Sequence, residues 1–127
     1  MMKNKFQYFL LVGITIVIFD VIASFASKIL EFDYTALAWV SLCLYALAGF
    51  VGCKSFDFSS GVIAGLIAGF SDSTLGWAIS SAIQPHIPFD QTSYTFPLIA
   101  EIIITVSITG AFFGLIGSFV FYIIRRK

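Results

Sequence analysis

The sequence predicts an all-α integral membrane protein, a four-transmembrane-helix bundle with both termini in the cytoplasm. Hydrophobic residues make up 59% of the 127-residue chain and charged residues only 11%. The mean hydropathy of +0.99 is far above that of an ordinary soluble domain. Four apolar segments are each long enough to cross a hydrocarbon core of about 30 Å. The predicted spans are residues 6–29, 34–53, 59–83 and 96–124, within a single membrane domain, 1–127.

The boundaries of the spans follow from the residues beside them. A basic start precedes the first span, and short polar links follow the first and second spans. Ser59 or Ser60 is the expected N-cap of the third span. Pro85 and Pro88 stop any helix in the only substantial loop, which precedes the fourth span. An alternative interpretation of the first span is a cleaved signal peptide, because small residues at 23–26 follow its apolar centre; the intact mass of the purified protein distinguishes the two.

The basic residues predict the orientation of the spans. With the N-terminus inside, Lys28 is the only basic residue expected on the outer side. The inner side then carries Lys3, Lys5, Lys54, Arg125, Arg126 and Lys127. This bias follows the positive-inside rule and predicts a multi-pass protein of the cell membrane with both termini cytoplasmic. The seven basic and seven acidic residues balance, so the net charge does not indicate a nucleic acid as a partner. The expected partner is the lipid bilayer, because of the apolar spans.

Small residues line one side of the third span and one side of the fourth. At about 100° per residue, the glycines of the third span, Asp72 and Ser80 fall within an arc of roughly 100°. Stripes of small residues let membrane helices approach closely, so we expect the third and fourth spans to form the tightest pair. The predicted helix-packing glycines are Gly61, Gly65, Gly69, Gly76, Gly110, Gly114 and Gly117.

Three acidic residues, and no lysine or arginine, lie well inside the predicted spans. An aspartate at a helix centre costs about 2.5–3.5 kcal/mol on insertion scales, so intramembrane acids often mark a functional path. The candidate proton or ion site consists of Asp72, Asp20, Glu101, Ser24, Ser73, Thr74 and Thr105. Alternatively, the acids are protonated and hydrogen-bonded to neighbouring hydroxyl groups, including Tyr45, and only fix which helices meet. Glu101 is near enough to a span end to extend to the interface.

A weak internal similarity relates the two aspartates. The spacing of Gly13, Asp20 and Ser24 equals that of Gly65, Asp72 and Gly76. Because both helices start on the same side, this pattern predicts two parallel hairpins with the aspartates as counterparts near the middle.

Two classes of function remain open from the sequence. The first, slightly favoured because no substrate-selective polar set accompanies the acids, is a non-enzymatic helix-packing subunit or membrane accessory protein. Its glycine faces would dock a second copy or another membrane protein. The second is a homo-oligomeric proton- or cation-linked small transporter or channel that uses Asp72 and Asp20.

Enzyme activity is not expected. The only histidine, His86, lies in a loop away from the aspartates within the spans, so no base is placed beside a nucleophile. His86 and Asp90 alone make a poor metal site. The motifs therefore predict no catalytic residue, no metal ligand and no cofactor, and we recognise no known family in them.

Overall fold

The computed structural model describes residues 4–87 and 94–126, and this part of the chain is all-helical. The elements are α1 (Lys5–Leu30), a 3₁₀ turn (Tyr34–Leu37), α2 (Ala38–Ser55), α3 (Phe58–Ser71), a π-helical turn (Asp72–Gly76), α4 (Trp77–Ile83) and α5 (Phe96–Arg125). Four stretches are long and apolar enough to cross a membrane: Lys5–Leu30, Tyr34–Ser55, Phe58–Ile83 and Phe96–Arg125. Their ends agree with the predicted spans to within two residues, which confirms an all-helical chain with four helices long and apolar enough to cross a membrane.

The bundle has two chemically different ends. The basic end contains Lys5, Lys54 and Arg125, and the loop end contains residues 31–34 and 84–87. At the basic end, Asn4 Oδ1 caps α1 by accepting from the N–H of Phe6 at 3.0 Å.

The third span is capped by an aspartate rather than a serine. Asp57 Oδ1 accepts from the N–H of Ser60 at 2.8 Å and from its hydroxyl at 3.0 Å. The predicted N-cap at Ser59 or Ser60 is therefore wrong, and the helix begins earlier, at Phe58. The physical reason is that the carboxylate of Asp57 reaches the unpaired N–H groups of the first turn.

We expect Asp57 to make the stability of the fold depend on acid pH. Hydrogen bonds from the Lys5 ammonium and from Ser60 lower the pKa of Asp57 to about 2. Its pKa in the unfolded chain is about 4, so its contribution is complete above about pH 4 and is lost as the pH falls towards about 2. Thermal unfolding of the parent and of Asp57→Ala should therefore differ most near neutral pH and converge in acid. A difference that is independent of pH would contradict this expectation.

Backbone contacts at glycine hold α3 against α5. The two helices run antiparallel, with Gly65 against Gly110 and Gly114, and Gly69 against Val106 and Gly110. A Cβ added to Gly65 would lie 2.6 Å from the Cα of Gly114, a separation that only glycine allows. This pair has the most extensive contact of any two helices in the described chain, as the sequence predicts.

α2 joins this pair at a second crossing. A Cβ added to Gly49 would lie 2.5 Å from the Cα of Gly114, and one added to Gly117 would lie 2.8 Å from the backbone N of Phe50. Gly61 of α3 completes the crossing against Gly49 and Ser118. The three helices therefore form one centre in which glycines contact backbone directly, and Gly49 belongs to it although the stripes did not predict it.

α1 packs on the outside of this centre, and its buried face changes character along its length. Near the basic end, the Tyr8 hydroxyl donates to the carbonyl of Ala48 at 2.5 Å. A buried apolar cluster surrounds it, formed by Tyr8, Val12, Ile16, Tyr45, Ala64 and Ala68. Further along, α1 buries Asp20, Ser24 and Ser27. The interior is therefore apolar towards the basic end and polar towards the loop end.

A π-helical turn interrupts the third span at Asp72. The N–H of Trp77 donates to the carbonyl of Asp72, five residues earlier, in place of the usual four. The hydroxyl groups of Ser73 and Thr74 donate to backbone carbonyls one turn earlier, at 2.8 and 2.6 Å. These bonds satisfy carbonyl groups in the last turn of α3, where the helix ladder changes register.

The π turn divides the predicted arc of small residues. One extra residue in a turn rotates the following helix by about 100° relative to the preceding one. Gly61, Gly65 and Gly69 face α2 and α5, whereas Gly76 and Ser80 face α1. The prediction of a single continuous face is therefore wrong, because it assumed an uninterrupted α-helix.

Candidate functional site

The two aspartates within the first and third spans meet in the structure. Asp20 of α1 is only 1% exposed, and Asp72, at the start of the π turn, is half-buried. The two carboxyl groups are neighbours across the contact between α1 and the π turn. Asp20 Oδ2 also lies against Gly76, where an added Cβ would be 2.9 Å from the Asp20 Cγ. The π turn thus places one carboxyl and one bare glycine opposite Asp20.

Each aspartate accepts a hydrogen bond from a tyrosine. The Tyr45 hydroxyl donates to Asp72 Oδ2, and the Tyr34 hydroxyl is 3.5 Å from Asp20 Oδ1. No N–H or O–H of the described residues donates to Asp20 Oδ2, which is fully buried. Two ionised carboxylates in contact repel each other, and a hydrogen bond between them requires a proton. One proton shared by the pair would satisfy the remaining oxygen of Asp20.

Hydroxyl groups continue from the acid pair to the loop end. The Tyr34 hydroxyl is 3.3 Å from Ser80 Oγ, which accepts from Ser24 Oγ at 2.7 Å. One turn further, Ser27 Oγ donates to the Phe32 carbonyl at 2.7 Å. The N–H of His86 donates to the same serine oxygen at 3.2 Å. In the opposite direction, the apolar cluster separates the pair from the basic end.

A cleft lies beside the acid pair in the loop-end half of the bundle. It has a volume of about 470 Å³ and is enclosed mainly by α2, α4 and α5, with the 3₁₀ turn at its loop end. Asp72, Tyr45, Tyr34 and Ser80 all line it. Most of the remaining wall is apolar or aromatic. Of the two aspartates, Asp72 is therefore the one that the cleft exposes.

The other predicted site residues divide into three groups. Ser24 belongs to the hydroxyl network beside Asp20. Ser73 and Thr74 lie next to Asp72, but their hydroxyl groups donate to helix carbonyls and not to the acids. Glu101 and Thr105 are exposed on α5 and do not line the cleft, so the structure does not bring them to the pair. Asp90 lies outside the described residues.

Comparison with protein-family models, with curated protein sequences and with solved structures gave no match to this chain. Function is therefore inferred from the geometry and chemistry of the acid pair.

Two residues of the site escaped the sequence analysis. Tyr34 begins the second predicted span and Ser80 lies in the glycine arc of the third, but neither position indicates a contact with the acids. The signal for Ser80 was its position four residues after Gly76, which places both on one side of the helix. The π turn directs that side towards α1. Tyr34 lies in a 3₁₀ turn, which has three residues per turn. The α-helical period of 3.6 residues therefore does not predict the direction of its side chain.

Proposed function

We propose that this chain is a small proton-linked membrane transporter in which Asp20 and Asp72 together bind the transported or coupling proton. The observation that carries this proposal is that Asp20 is buried against the π turn that begins at Asp72, with one carboxyl oxygen that accepts from no donor of the described residues. In the cell membrane, with both termini cytoplasmic, the loop end and the cleft face outward. The charge distribution along the chain supports this orientation.

The surroundings of the pair favour a proton over a metal cation. Hard cations such as calcium need six to eight oxygen ligands, roughly twice what two carboxyl groups supply. The neighbouring hydroxyl groups of Tyr34 and Tyr45 present hydrogens to the acids, and those of Ser73 and Thr74 are bonded to the backbone. In the described part of the chain, no three His, Cys, Asp or Glu side chains come together as a metal site would require.

The packing of the glycines weighs against the alternative of a helix-docking accessory subunit. That hypothesis depends on glycine faces that are free to receive another helix. Each of the ten glycines instead approaches another part of the same chain, so that an added Cβ would meet it at about 3 Å or less. The exposed surface consists largely of bulky apolar side chains, which suit contact with lipid.

Substitution of Asp72 tests the proposal. Asparagine keeps the size and hydrogen-bonding capacity of the side chain but cannot titrate. Purified Asp72→Asn protein in liposomes should therefore remain folded and show proton flux no greater than that of protein-free liposomes, while the parent conducts above that level. Flux can be followed with a pH-sensitive dye trapped inside the liposomes.

Glu101→Gln is the matched control, because Glu101 is also an acid within a predicted span but is exposed and does not line the cleft. It should conduct as the parent does. Equal flux in the parent and in Asp72→Asn, or no flux in any of the three proteins, would refute the transporter and leave the accessory role.

A further inference from the structure

The cleft beside the acid pair has the composition of a binding site for an organic molecule. Its walls carry the aromatic rings of Phe19, Tyr34, Tyr45 and Trp77 together with aliphatic side chains of α2 and α5. A volume of about 470 Å³ lies within the range of small-molecule sites in proteins. The only ionisable acid among the described lining residues is Asp72.

The electrostatics of the cleft select a cation. A pair of carboxyl groups that shares one proton carries one negative charge, and none of the described residues that line the cleft is a lysine, arginine or histidine. The groups that face the pair are neutral phenols, Tyr34 from the 3₁₀ turn and Tyr45 from α2. An intramembrane charge without a partner is costly, so a positively charged occupant would be stabilised there.

The walls further restrict what kind of cation fits. A small inorganic cation needs a shell of about six to eight oxygen atoms. The cleft supplies one carboxyl group, Asp72, and hydroxyl groups of which several already donate within the protein, those of Tyr45, Ser73 and Thr109. An organic cation with apolar substituents gains from burial of its substituents and from contact of its charge with aromatic ring faces.

We propose that the cleft binds a lipophilic organic cation, with its charge near Asp72 and its apolar groups against Trp77 and the walls of α2 and α5. This inference rests on the proposed proton-linked function and names the substrate class of that site. Because the cation and a second proton would each neutralise the singly protonated pair, binding of one weakens binding of the other.

Tetraphenylphosphonium is a suitable probe, and Trp77 is a suitable reporter. The second tryptophan, Trp39, is 75% exposed and does not line the cleft, so a Trp39→Phe background leaves Trp77 as the only indole. Titration of the purified protein should change Trp77 fluorescence saturably. The affinity should fall as the pH is lowered, and binding should release protons in a weakly buffered solution.

Variants in the Trp39→Phe background distinguish the outcomes. Asp72→Asn should weaken binding by about tenfold or more, since the charge contact is lost. Ser41→Phe, which places a large side chain in the cleft without adding a second indole, should abolish binding, while Glu101→Gln should bind as the parent does. Because Ser41→Phe leaves both aspartates in place, a parent-like infrared carboxyl signal would show that its acid pair is intact.

Absence of saturable binding to the parent, or equal binding by the parent and Asp72→Asn, would overturn the cation site. The proton-flux assay separates this failure from failure of the proposed function. If flux depends on Asp72 but the probe does not bind, the proton site stands and the cation site falls. If flux does not depend on Asp72, the proposed function falls as well.

Discussion

Replacing Gly65 with alanine is expected to destabilise the bundle by about 1–3 kcal/mol, the usual cost of overpacking a well-packed interior. The added Cβ would lie 2.6 Å from the Cα of Gly114 and closer still to the carbonyl oxygen of Gly110. Both obstacles are backbone atoms, so relief requires α3 and α5 to move apart. Thermal or denaturant unfolding of the purified protein in detergent measures the effect.

Gly13→Ala is the matched control for this substitution. The nearest atom to an added Cβ at Gly13 is the Ser71 hydroxyl oxygen, at 2.9 Å, which can move by rotation of its side chain. Alanine is also a better helix former than glycine by up to about 1 kcal/mol. Gly13→Ala should therefore be neutral or stabilising, and a loss of stability equal to that of Gly65→Ala would show that backbone contact does not decide the packing.

Replacing Gly76 with alanine is expected to abolish proton flux without removing any titratable group. The added methyl group would overlap Asp20 Oδ2 and lie 2.9 Å from the Asp20 Cγ, so the Asp20 carboxyl would have to leave its place beside Asp72. Separated acids have no shared proton, and the flux in liposomes should fall to that of protein-free liposomes.

The same Gly13→Ala protein serves as the control for Gly76→Ala, since both glycines lie where α1 meets the third span. It should retain parent flux. Parent flux in folded Gly76→Ala protein would mean that contact between the two aspartates is not required for transport.

The sequence is sufficient to predict the helices and much of their packing. Apolar length alone gave the four spans, because a membrane requires each one to satisfy its backbone internally. Glycine spacing gave the α3–α5 contact, since stripes of small residues have few other uses in apolar helices. The sequence also singled out both aspartates, as acids inside apolar spans. The internal similarity predicted them as counterparts on parallel helices, and in the structure they are neighbours.

Which residues belong to the candidate site depended on features that the helical period does not encode. The π turn at Asp72 redirects Gly76 and Ser80 to α1, and no residue type specifies such a turn. The exclusion of Glu101 from the site depends on the rotation of α5, which its contacts with α2 and α3 fix at Gly110, Gly114 and Gly117. Tertiary packing therefore decided which of the three acids meet.

Infrared difference spectroscopy of the carboxyl C=O stretch tests most directly whether Asp20 and Asp72 share a proton. At neutral pH, the parent should show the band of a protonated, hydrogen-bonded carboxyl group. That band should be lost or shifted in both Asp20→Asn and Asp72→Asn and should be retained in Glu101→Gln. A parent without this band, or a band that neither aspartate substitution alters, would contradict a shared proton and with it the proposed function.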